Sequence, residues 1–194
     1  MFLILLNHLP SYGSIQKLHS RDSDLVVLCE DKCLKVLANK DALFNADGNV
    51  NLTATENVLG QSIPFVGDYG ISKNPESFAC YAFRSYWVDK ARGAVLRLSR
   101  DGLTNISDKG MRDYFADKLK GDKYNVLPGG YDEDKDLYNI TLKKSNNSTV
   151  GGSGSPNLTI SYSEPANGWT SRKTFYPQNS LSIIQCKLPY PHLC

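Results

Sequence analysis

Among the 194 residues, the side chains whose types and spacing suit chemistry are few and dispersed. Asp132, Asp134 and Asp136 alternate as D-x-D-x-D, a spacing that can offer carboxylates to calcium. A calcium loop of the helix–loop–helix kind would place glycine next and an acidic residue near its end. Leu137 follows instead, between two strand-like runs, so the tract reads as a solvated acidic turn. Cys29 and Cys33, spaced C-x-x-x-C, could join Cys186, His192 and Cys194 in a zinc site. The four-ligand spacing is poor, and both cysteines lie in or beside apolar runs, where a thiol packs as a small hydrophobe. His8, His19 and His192 are the only histidines, and no Gly-x-Ser-x-Gly frame accompanies them, so no nucleophile–base triad is indicated. The glycines of Gly151-Gly-Ser-Gly154 open no helix and follow no phosphate-loop strand; linker flexibility is their reading. Asp101 and Glu164 are candidates for the paired carboxylates of glycoside hydrolysis, yet acidic residues punctuate every turn and spacing selects no pair. The expectation is a chain with no catalytic, cofactor-binding or metal-ligating residue, and no enzyme.

Two weaker signals point to sugars. Sequons begin at Asn51, Asn105, Asn139, Asn146, Asn147 and Asn157, but Asn and Thr are common in turns and strands, and these are treated as coincidence. Tyr86 and Trp87 could stack on a saccharide, but consecutive strand residues face opposite sides, so one of them is expected between sheets.

The elements that would position these residues are short and extended. From Phe65 to Met111 the chain offers two apolar runs, 83–88 (FRSYWV) and 94–98 (AVLRL), separated by a turn ending in Gly93. β-Branched and aromatic residues flanking a turn that needs a positive φ make a hairpin. Asp101-Gly102 reverses the chain again. Before this unit, residues 25–29 and 33–37 read as a hairpin around Glu30-Asp31-Lys32, Asp47-Gly48 tips a loop, and 51–62 is polar and ambiguous. After it, Met111, Tyr114, Phe115 and Leu119 fall at helical spacing. They predict one short amphipathic helix over about 109–120, with Ser107 or Asp108 as N-cap and Gly121 at its end. A third hairpin pairs 124–131 with 137–142 across the acidic turn. A Ser/Asn/Gly-rich loop covers 143–156, and a fourth hairpin pairs 157–162 with 169–175 across Glu164–Gly168. The class is all-β. Hairpins with turns near Asp31, Lys90, Asp134 and Ala166 resemble blades of a β-propeller, as a fragment or variant rather than a closed ring.

Composition agrees with a globular chain: 41% hydrophobic, 22% charged, and a net charge of +2 that indicates neither nucleic acid nor a membrane surface as partner. Five scattered cysteines fit a reducing compartment better than a disulfide framework. The opening Met1–Leu6 run is apolar but short and lacks a basic flank, so it reads neither as a signal peptide nor as a membrane span.

Longer strings carry a resemblance. Tyr86-Trp-Val-Asp89 with Arg92-Gly93 and Asp101-Gly102 resembles a blade of tyrosine–tryptophan β-propellers. Further strings lie at 15–21 (IQKLHSR), 42–48 (ALFNADG), 70–78 (GISKNPESF), 92–95 (RGAV) and 168–175 (GWTSRKTF). Together they resemble a family of virion structural proteins from large tailed phages, especially marine, contractile-tailed ones. The resemblance spans about 15–182. It implies a particle component of the tail, neck or baseplate, made in the host bacterial cytoplasm. Its partners would be other virion proteins in a homo- or hetero-oligomer, with no cofactor and no catalytic residue to carry over. Residues 1–14 and 183–194 depart from the pattern, flanking a partial β domain over 15–182. The expectation is an excerpt of a larger gene, ended by a frameshift, a truncation or an assembly error. A propeller-type carbohydrate-binding module, or a fragment of a glycan-active enzyme, is the alternative function.

Overall fold

A computed structural model describes residues 11–21, 24–38, 43–44, 50–51, 59–121, 124–144 and 157–177. The expectations for residues 1–10, for the 145–156 part of the Ser/Asn/Gly-rich loop, and for the tail after 177 lie outside these residues, as does the Asp47-Gly48 loop tip. Residues 1–70 and 71–194 form two compact units.

In the first unit, β1 (Ile15–Ser20), β2 (Asp24–Cys29), β3 (Cys33–Ala38) and β6 (Leu59–Pro64) form one antiparallel sheet in that order, while β4 (Leu43–Phe44) and β5 (Val50–Asn51) pair separately. The β2–β3 hairpin turns where the acidic tripeptide predicts it, with Leu28 opposite Cys33. β2 is apolar on both faces, and Val26, Val27, Leu28 and Cys29 are all fully buried. A run without polar alternation is what a strand covered on both sides requires. Val27, Cys29, Leu34 and Val36 form one core face with Tyr12, Ile15 and Leu25 packed against it. Arg21 closes the β1–β2 turn by gripping Asp24 with two N–H groups, at 2.7 and 2.5 Å.

The second unit contains two sheets whose strands follow one another in sequence. β7 (Ala79–Tyr81), β8 (Arg84–Asp89), β9 (Ala94–Ser99) and β10 (Gly102–Asn105) make the first; β11 (Gly129–Asp132), β12 (Leu137–Leu142), β13 (Leu158–Ser163) and β14 (Gly168–Lys173) make the second. The chain is thus mostly β, with three four-stranded antiparallel sheets. The third and fourth expected hairpins join through β12–β13 into one sheet. The central hairpin forms as read, with Gly93 in its turn at φ 68°. The turn is closed by Asp89, a fully buried carboxylate. It accepts from Ser72 Oγ at 2.9 Å and from the backbone N–H and Nη1 of Arg92, both at 3.1 Å.

Helix α1 (Arg112–Leu119) lies inside the expected span, and its stripe packs as core, with Phe115 and Leu119 fully buried. Its N-cap differs from the expectation. Met111 occupies that position without a side-chain cap, and neither Ser107 nor Asp108 serves. Both belong to a 3-10 turn over Ile106–Asp108, which is capped by the Asn105 side chain. A 3-10 turn places the chain one step tighter before the helix begins, so the polar cap acts there instead.

Cys80, in β7, is disulfide-bonded, contrary to the expectation of a chain without disulfides. Cys29 and Cys33 are buried thiols. Strand alternation puts Cys29 on the face of Val27 and Leu34, and Cys33 on the opposite face. They cannot share a metal ion. Burial pushes the Cys29 thiol up to about 11. Alkylating reagent at neutral pH is therefore expected to leave both residues unmodified in the folded chain and to modify both after unfolding, as peptide mass spectrometry would read.

Candidate functional site

The most concentrated set of ionisable side chains lies where the two sheets of the second unit meet. On β8 the residues facing the second sheet alternate as Arg84, Tyr86 and Val88; on β9 they are Val95 and Arg97, with Arg97 directly opposite Tyr86. From the second sheet, Tyr131, Tyr138, Ile140, Ile160 and Tyr162 enter the same core. Tyr81, Tyr131, Tyr86 and Tyr138 form one column of near-parallel rings, with successive centroids 4.9, 5.4 and 4.9 Å apart. Stacked rings of this kind add about 0.5–1.5 kcal/mol per pair beyond the area they bury.

Four phenols of this dry core have hydrogen-bond partners, whereas the buried Tyr114 hydroxyl has none among the described residues. Tyr86 donates to Glu164 Oε1 at 2.5 Å, Tyr131 to Asp136 at 3.0 Å, Tyr138 to the Ser77 carbonyl at 2.7 Å and Tyr162 to Asn167 at 2.9 Å. Glu164 sits in the β13–β14 turn and reaches the first sheet. Arg97 donates to it from Nε at 2.7 Å and from Nη2 at 3.0 Å, and Arg84 Nε lies 3.7 Å away. Glu164 is 11% exposed and Arg97 19%, whereas Arg84 is 39% exposed. A two-pronged guanidinium–carboxylate contact fixes geometry as well as charge.

This arrangement holds its carboxylate in place rather than freeing it to react. The hydrogen-bonding partners of Glu164 are a phenol and an arginine, not a second carboxylate, and Asp101 lies exposed in the β9–β10 turn. Tyr86 and Trp87 are both fully buried, so neither presents a ring to a sugar. In the acidic triplet, Asp136 accepts from Tyr131 while Asp134 is exposed. No group of three metal-capable side chains occurs among the described residues. Burial, then Arg21 and Lys17, holds the His19 imidazole below its ordinary range. His8, His192, Cys186, Cys194 and the 151–154 glycines lie outside the described residues. Three sequon asparagines are engaged in the fold: Asn105 accepts from the Ser107 backbone at 3.1 Å, Asn139 from Ser161 at 2.6 Å and Asn157 from the Lys144 backbone at 3.3 Å. Among the described residues no helix is long and apolar enough to cross a membrane.

Alkali is expected to undo the column. Burial, reinforced by Glu164 for Tyr86 and by Asp136 for Tyr131, raises these phenols far above the usual range, and burial does the same for Tyr138. The folded state keeps these protons while the unfolded chain releases them above pH 10.0, the ordinary phenol value. Their contribution is therefore intact below that pH and lost as pH rises beyond it, by about 1.4 kcal/mol per phenol per pH unit. Tyrosinate absorbance of these residues should rise together with the loss of the far-ultraviolet dichroism, not before it.

Compared with known proteins, the chain matches no family model, and no curated protein is significantly similar to it.

Proposed function

We propose that the chain is a structural component of a tailed-phage virion, of the tail, neck or baseplate region, acting by subunit–subunit assembly. Its two sheet meanders in residues 71–194 are read as successive propeller-like blades. The observation that carries this reading is the fate of the reactive residues. The arginines, phenols and carboxylate that converge between the sheets bind one another and hold the sheets together, with Tyr86 sealed from solvent. A rigid scaffold whose converging side chains bind one another, presenting turns outward, suits assembly. The sequence strings over 15–182 support the same reading.

A second reading, a propeller-type glycan-binding module, draws on one feature: Phe83 is 39% exposed with the Arg100 guanidinium 3.8 Å over its ring. The test is to purify particles of a phage that encodes the sequence and search them for its peptides by mass spectrometry. Peptides at stoichiometric level support the virion reading. Their absence from particles, together with binding on a glycan array, overturns it in favour of the second.

A further inference from the structure

We propose that the end of residues 71–194 formed by its turns is an interface with a second copy of this chain, held by reciprocal contacts between an arginine–phenylalanine cluster and an acidic turn. The proposal rests on the assembly reading above and names the partner.

Three contacts place the turns on one end. Tyr81, the last residue of β7, stacks on Tyr131, next to last in β11, so the β7–β8 and β11–β12 turns lie side by side. Glu164, in the β13–β14 turn, reaches Arg84, the first residue of β8 after its turn. The β9–β10 turn emerges at the same end as the β7–β8 turn, because Arg100 stacks on Phe83.

This end carries both charges: Asp101 stands beside Arg100, but most of the carboxylates lie in the β11–β12 turn, away from the arginines. On one side stand Arg84, Arg100 and the half-exposed Phe83, residue types enriched at the centres of protein interfaces. Glu164 is already gripped by Arg97, and Arg84 approaches it at 3.7 Å. On the other side the β11–β12 turn presents Asp132, Glu133, Asp134 and Asp136 against the single cation Lys135. Glu133, Asp134 and Arg100 are exposed, and none of the three has an ion-pair partner among the described residues. The turns are tight: Ala82, Asp136 and Asn167 hold positive φ at 50°, 52° and 46°. Non-glycine residues in that region cost energy and hold a turn in one shape.

A surface that carries both signs complements itself. About a two-fold axis, the arginines of each copy face the acidic turn of the other, and the same contact is made twice. The net charge of +2 is too small to keep two copies apart.

The experiment is sedimentation equilibrium of the full chain at low and high salt. A dimer is expected whose dissociation constant rises about tenfold or more when salt goes from roughly 0.05 M to 0.5 M. Arg100→Glu alone, and Glu133→Lys with Asp134→Lys, should each give monomers with unchanged dichroism. The chain carrying all three substitutions should dimerise again, since both contacts are restored with signs exchanged. A wild-type chain that stays monomeric at low salt, or a dimer indifferent to these reversals, overturns the proposal. So does a monomer that captures an acidic glycan through Arg84 and Arg100. A monomer still found in particles sinks the self-association alone and leaves the virion reading standing.

Discussion

Gly129→Ala is expected to destabilise residues 71–194 by about 3 kcal/mol, the upper end of what overpacking costs. A Cβ on Gly129 would stand 2.1 Å from the Ser77 carbonyl oxygen and 2.8 Å from the Tyr138 hydroxyl. The first obstacle is backbone and cannot swing away. The second is the phenol at the buried end of the ring column, which itself donates to that same carbonyl. Accommodating one methyl group thus requires β11 to lift off the 3-10 turn at Pro75–Ser77, breaking the Tyr138 bond as it moves. The neighbouring residue supplies the control. A Cβ on Gly130 meets nothing within 4 Å. Gly130→Ala should therefore be neutral or slightly stabilising, through the reduced freedom of the unfolded chain. Urea unfolding of the two variants side by side checks the pair of outcomes, and equal midpoints would count against the close approach.

The second large effect is expected at Glu164. Glu164→Ala removes the carboxylate that accepts from Arg97 and from the Tyr86 hydroxyl, leaving Arg97 its Ser99 contact but no countercharge, in a place where water replaces it poorly. Removing one member of a buried pair costs about 3–5 kcal/mol, and the partial exposure of Arg97 and Arg84 puts this site at the lower end. Tyr86→Phe should cost less, about 1–2 kcal/mol, because the carboxylate keeps Arg97. A double-mutant cycle between Glu164→Ala and Arg97→Ala separates the ion pair from the packing around it. A coupling near zero would show that this ion pair adds nothing to the hold between the two sheets.

How much of this was legible depended on distance along the chain. The central hairpin, its Gly93 turn and the Asp101-Gly102 reversal are decided by residues within a few positions of one another, and they appear as read. So does α1, whose Phe115 and Leu119 declare a buried face. β6 was missed because LGQSIP carries a glycine and a proline and shows no alternation; its pairing with β3 supplies what its own residues do not. β7 is only three residues long, too short for any period to show. The polar cluster was the least visible. Glu164 is 67 residues from Arg97 and 78 from Tyr86, and nothing local singles it out among the acidic turn residues. One hint did exist. Arg84 and Arg97 occupy inward positions of strands otherwise lined with Tyr86, Val88 and Val95, and an arginine on a buried face requires a carboxylate from elsewhere.

The strand order of the second unit also bears on how the chain folds as it is made. Each sheet is built from neighbours in sequence, so β7–β10 can pair as they leave the ribosome, without waiting for distant segments. The 3-10 turn at Ile106–Asp108 and α1 can cover part of the face that bears Tyr86, Val88 and Val95, but the rest waits for the second sheet, and Glu164 arrives only with the last of its turns. Synthesis at ordinary speed makes that interval several seconds long. During it the nascent chain carries a partly covered apolar face flanked by two guanidiniums that still lack Glu164, and the same two arginines then become the fastening point for the turn that closes it.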